Sequence, residues 1–105
     1  MPEQDKMRVT VDAEFASLVP GYMENRLQDA DNIVRLAGQG DFEKVRRLGH
    51  CMKGSGAAYG FDGVSEIGLA IELAAKEQNV PALTAQADKL REYISNVEVT
   101  YDEPA

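Results

Sequence analysis

Glycine and proline divide this chain more firmly than any other feature. They fall at Pro20-Gly21, at Gly38 and Gly40, at Gly60 and Gly63, and at Pro81. The segments between them are of helical length and carry apolar residues at spacings of three and four. None sustains period-two alternation, and β-branched residues are sparse, so strands are not expected. Helices joined by short loops favour antiparallel neighbours. The expected fold class is all-α: an up-down antiparallel four-helix bundle with a short additional N-terminal helix.

The segments can be placed in more detail. Residues 1–8 read as a flexible arm, 9–99 as the helical bundle and 100–105 as a loose tail. Asp12 is suited to cap the short first helix, which carries Phe15 and Leu18. A longer helix follows Pro20 to about Ala37, with Tyr22, Met23, Leu27, Ala30, Ile33 and Val34 near helical spacing. Asp41 caps a second long helix running from about Phe42 to Tyr59. The third starts after Asp62 and runs to about Gln78, with Val64, Ile67, Gly68, Ile71, Ala74 and Ala75 on its core face. Asn79 caps the fourth, which has Pro81 in its first turn and Leu83, Ala87, Leu90, Ile94 and Val97 as its buried stripe.

Charge and cysteine content narrow the function. Eleven basic against 18 acidic residues give a net charge of −7, which argues against binding nucleic-acid phosphates. One cysteine and one histidine exclude an intrachain disulfide and a multi-Cys/His zinc site. No apolar run approaches the ~18 residues of a membrane span, and the first residues are unlike a signal peptide. The expectation is a small, acidic, cytoplasmic, monomeric domain.

The second helix holds the anomaly. At about 100° per residue, Val45, Leu48, Met52 and Tyr59 fall within roughly 40° of one direction, and His50 points the opposite way. Around it lie Glu43, Arg46, Arg47, Lys53, Gly54 and Ala57. Gly49, Gly54 and Gly56 lie inside the same helix, each costing about 1 kcal/mol against alanine. Gly49 and Gly56 would admit a neighbouring helix, and Gly54 would clear space beside the ring. Each feature alone suits ordinary packing or a solvated surface; the composite does not.

An imidazole is a good nucleophile, and the free group titrates near roughly 6.5. A phosphoryl donor attacked by His50 would leave a negative group that Lys53 could offset. The other ring nitrogen then needs an acceptor to fix the tautomer. Glu72, placed off the core face of the third helix with Lys76 one turn on, is the candidate. His50 and Glu72 each lie about 10 to 13 residues from the Gly60–Gly63 turn, roughly 15–20 Å along the helix axes, so the two can meet at one level. A Cys51–His50 catalytic pair is disfavoured by their adjacency, and no metal site or nucleotide-binding loop is evident, so a partner must supply the phosphoryl group.

The segment from Gly49 to Gly60, with Gly49-His50-Cys51-Met52-Lys53-Gly54-Ser55-Gly56 at its heart, resembles the signature of histidine-containing phosphotransfer (HPt) domains. Ile71-Glu72, twenty-two residues after the histidine, extends the resemblance without a gap. Gly56 stands where a second small polar residue is frequent, and Gly49 where alanine is usual. The resemblance implies a phosphorelay intermediate that reversibly holds a phosphoryl group on His50, without a kinase site of its own. Lys53 would steady that group, Gly54 would give the partner room and Glu72 would orient the ring. Its partners would be response-regulator receiver domains, and a hybrid histidine kinase in some relays. The chain itself would bind no cofactor, the receiver bringing the magnesium ion (Mg2+). Arg46, Arg47, Ala57 and Lys76 are the expected docking positions. Leu69 and Leu73, with Met23 or Leu27, are a candidate apolar patch, core packing being the competing expectation. The alternative is an HPt-like adaptor that occupies receivers without phosphotransfer.

Overall fold

Proline in first turns and polar caps at helix starts set the frame, because a missing N–H is tolerated there and orphan N–H groups find side-chain acceptors. The computed structural model describes residues 8–102. Helix α1 spans Val19–Gly38, α2 Phe42–Tyr59, α3 Asp62–Lys76 and α4 Val80–Asn96. Pro20 and Pro81 occupy the first turns of α1 and α4. Asp41 and Asn79 accept from the backbone N–H of Lys44 (3.4 Å) and Ala82 (3.1 Å), as their sequence positions predict. Gly60 ends α2 at φ 89°, a left-handed conformation that a side chain would strain.

The ends of the chain depart from expectation. Arg8–Asp12 forms strand β1 and Glu98–Asp102 forms strand β2, paired in parallel with Arg8 opposite Glu98 and Asp12 opposite Asp102. Strands were not expected, and Arg8 and Thr100–Asp102 belong to them rather than to a loose arm or tail. The remainder of those two segments, 1–7 and 103–105, lies outside the described residues. In β1 the side chains alternate, with Val9 and Val11 buried and their neighbours exposed. The pair closes over some 90 residues, so no hairpin turn announces it in the sequence. The expected N-terminal helix contracts to one 3-10 turn, Ala13–Phe15, with Asp12 still capping it through Glu14 N at 2.9 Å. Leu18 is exposed. At the other end α4 stops at Asn96, and Val97 turns into extended backbone leading to β2.

The apolar faces meet in one core. Ile33 of α1, Val45 and Met52 of α2, Val64 and Ile71 of α3, and Leu83 and Leu90 of α4 are fully buried, as is Phe61 before α3. Helix α2 packs most extensively against α3, and α1 against α4. The rings of Phe15, Tyr59, Tyr22 and Phe61 stack in sequence at centroid separations of 5.4, 4.6 and 5.5 Å, tying α1 to the end of α2. Among the described residues no helix is long and apolar enough to cross a membrane.

Candidate functional site

Glycine presses α2 and α3 together, and that contact builds the site. A Cβ at Gly49 would sit 2.7 Å from Gly68 O and 2.8 Å from Glu72 N. One at Gly68 would meet Lys53 N at 2.6 Å and Gly49 O at 2.7 Å, and one at Gly56 would meet Ser65 N at 2.6 Å. Two of the three glycines inside α2 are therefore explained by backbone approach, and Gly68 is their counterpart on α3. Because Gly49 lies against the backbone of Glu72, this approach delivers that carboxylate to His50. The third, Gly54, has no neighbour within 4 Å of a Cβ and faces open space.

His50 stands on the exposed side of α2, its side chain 63% accessible. Its Nδ1 lies 3.3 Å from Glu72 Oε2. The Glu72 side chain is only 10% accessible, and its other oxygen, Oε1, is enclosed without an aligned hydrogen bond. The Lys53 ammonium meets that oxygen's charge at 3.2 Å, while Arg46 Nη1 lies 3.9 Å from Oε2. Glu72 is thus a buried anion under an exposed ring, not a group standing clear of the core face. Lys53 beside it holds the carboxyl below the ordinary glutamate range, against the opposing effect of burial, and the ring contributes in the same direction. With Glu72 ionised, only an Nδ1–H donor satisfies the contact, which in the neutral ring leaves the lone pair on Nε2.

Neighbouring side chains secure this arrangement. Ser65 Oγ donates to Lys53 O at 2.9 Å, fixing the α2 backbone beside the ring. Ser55, five residues after His50, does not reach the ring: its Oγ lies 3.0 Å from Tyr22 OH and links α2 to α1. Glu43 accepts from Arg46 Nε (3.1 Å) and Nη2 (2.7 Å) and from Arg47 Nε (3.2 Å). Arg46 holds the Glu43 carboxyl below its usual range, with Arg47 adding to the effect. Ala57 and Lys76 are exposed, and Lys76 is not among the ion-pair partners of Glu72. Leu69 and Leu73 are 44% and 51% exposed on α3, so core packing does not claim them, and Leu27 is 37% exposed; Met23 is half-buried against the core. The sequence did not reveal the Ser65–Lys53 bond or the approach of Arg46 to Glu72. Both depend on the rotation of α3 against α2, which no local pattern encodes.

The depressed carboxyl has a consequence for acid stability. A group with a lowered folded-state pKa stabilises above its unfolded value, about 4.3 for glutamate, and loses that contribution as pH falls through the folded value. The thermal midpoint of Glu72→Gln should therefore lie furthest below wild type near neutral pH and converge on it in acid. A gap that stays constant from pH 7 to pH 3 would contradict the ion-pair assignment.

No curated protein and no solved structure matches the chain. The family model for the Hpt domain matches residues 21–100, from the first turn of α1 into β2, and so covers all of the residues around His50. Four helices, a surface histidine on the second and a supporting carboxylate on the third agree with that match. The chain belongs to the Hpt domain family.

Proposed function

We propose that the protein is a phosphorelay intermediate that reversibly carries a phosphoryl group on Nε2 of His50. Hpt domains serve histidine phosphotransfer in two-component signalling and are phosphocarriers rather than kinases. One observation supports the assignment above the rest: an exposed ring whose Nδ1 lies 3.3 Å from an enclosed carboxylate, a contact that in the neutral ring favours the proton on Nδ1 and the lone pair on Nε2. In the transfer step the Nε2 lone pair attacks phosphorus in a receiver aspartyl phosphate. An N–P bond forms, the P–O bond breaks, and the aspartate carboxylate leaves. The ring keeps its Nδ1–H and gains positive charge, which Glu72 offsets. Lys53 lies beside the site to balance the phosphoryl oxygens, and positioning with charge neutralisation supplies most of the rate.

The remaining roles follow from placement. Gly54, one turn beyond His50, leaves the ring open to a partner surface. Arg46, Arg47, Ala57 and Lys76 form the rim that meets a receiver's acidic pocket, and that pocket supplies the Mg2+. The up-down antiparallel order of the four helices belongs to the same reading. It is supported in α2 and α3 by the pairing of Gly49 with Gly68 and of Gly56 with Ser65. This function also keeps the cytoplasmic setting expected from composition.

The test compares two phosphodonors. A phosphorylated receiver with magnesium should label wild type, as should phosphoramidate, a small donor. Gly54→Leu should slow labelling by the receiver by about 10-fold or more while leaving labelling by phosphoramidate unchanged, because a Cβ there meets nothing within 4 Å among the described residues and the position faces open space. Equal receiver rates for the two proteins would show that Gly54 provides no clearance. Failure of wild type to accept label from either donor would favour the adaptor reading.

A further inference from the structure

Arg46 stands between two carboxylates. It is hydrogen-bonded twice to Glu43, and its third nitrogen lies 3.9 Å from Glu72 Oε2. Arg46 precedes His50 by four residues and Glu43 precedes it by seven, so both share the helical face that bears the ring. Lys53, on the other side of the ring, lies 3.2 Å from Glu72 Oε1. The charged groups around the ring are thus Glu43, Arg46, Arg47 and Lys53 from α2 and Glu72 from α3.

We propose that Arg46 is an exchangeable counter-ion, held by Glu43 while the ring is bare and passed to the phosphoryl group once His50 carries one. This rests on His50 as the acceptor. A phosphoryl group brings close to two negative charges and three acceptor oxygens, a stronger partner for a guanidinium than one exposed carboxylate. Arg46 is only one helical turn away, and its contact with Glu72 keeps it beside the ring. Glu43 is 56% exposed, and pairs of that kind are weak enough to exchange. Nor does the exchange strand Glu43, since Arg47 Nε already lies 3.2 Å from its Oε2. Glu43 is then a positioning residue that competes with the phosphoryl group for Arg46. Removing its charge should favour the phosphorylated state, and removing Arg46 should disfavour it.

The experiment uses the full chain phosphorylated with phosphoramidate, so that receiver docking plays no part. Phosphorus NMR follows the protonation midpoint of the phosphoryl group, which a nearby guanidinium lowers. Arg46→Gln should raise the midpoint by about 0.5 pH unit and Glu43→Gln should lower it by about 0.3. Arg46→Lys should fall between wild type and Arg46→Gln. In the Arg46→Gln background the effect of Glu43→Gln should shrink by at least half. Unchanged midpoints overturn the proposal, and so does a Glu43→Gln shift that persists above half its size without Arg46. Absence of any label on wild-type His50 overturns the acceptor assignment itself, so the two failures are distinguishable.

Discussion

His50→Gln should abolish labelling by a phosphorylated receiver, a loss on the order of 10³-fold or more, while leaving the fold intact. The nitrogen of a glutamine amide is delocalised into its carbonyl and offers no lone pair for attack on phosphorus. Its NH2 group can still donate to Glu72, so the buried carboxylate keeps a partner where an alanine would leave it short of one. The ring is 63% accessible and belongs to no apolar cluster, so stability should change by no more than about 0.5 kcal/mol. Labelling that survives in His50→Gln would place the acceptor elsewhere. Loss of labelling together with loss of helix content would make the result one about folding.

Gly68→Ala should have the largest effect on stability of any single methyl addition in the α2–α3 contact. Its Cβ would lie 2.6 Å from Lys53 N and 2.7 Å from Gly49 O, both backbone atoms that no rotamer change can move. Overpacking of this kind costs about 1–3 kcal/mol or more, offset by about 1 kcal/mol of improved helix propensity. The net loss should lower the thermal midpoint by about 5–15 °C. Parting the helices also moves Glu72 from the ring, so phosphotransfer should slow in the protein that remains folded. Gly54→Ala is the matched control. Its Cβ meets nothing within 4 Å, so only the propensity gain remains and the midpoint should rise by a few degrees. If Gly68→Ala is no less stable than wild type, close backbone approach is not why glycine stands there.

The helices and the site were legible in the sequence for different reasons. Helix ends were readable because Pro20, Asp41, Gly60, Asn79 and Pro81 act locally, through a fixed φ, a side-chain cap or a left-handed turn. His50 was visible because an apolar stripe fixes the phase of α2 and leaves the ring opposite it. The costly glycines pointed at a helix contact, and Gly49 and Gly56 do make one. Pairing β1 with β2 was not readable, since each strand has only five residues and its partner lies at the far end of the chain. The burial of Glu72 was missed for a similar reason. Helical phase put it off the core face of α3, and only the Gly49–Gly68 approach decides that α2 covers it. Arg46 was placed on a docking rim, and its share in the Glu72 cluster emerged only from the packed helices.

Which ring nitrogen takes up the phosphoryl group tests the account most directly. The protein, with nitrogen-15 in its histidine, is phosphorylated by a receiver and observed by phosphorus and nitrogen NMR. The geometry predicts phosphorus bonded to Nε2, with Nδ1 still protonated and hydrogen-bonded to Glu72. Phosphorus on Nδ1, or a phosphorylated protein whose histidine nitrogens show no coupling to phosphorus, would contradict it.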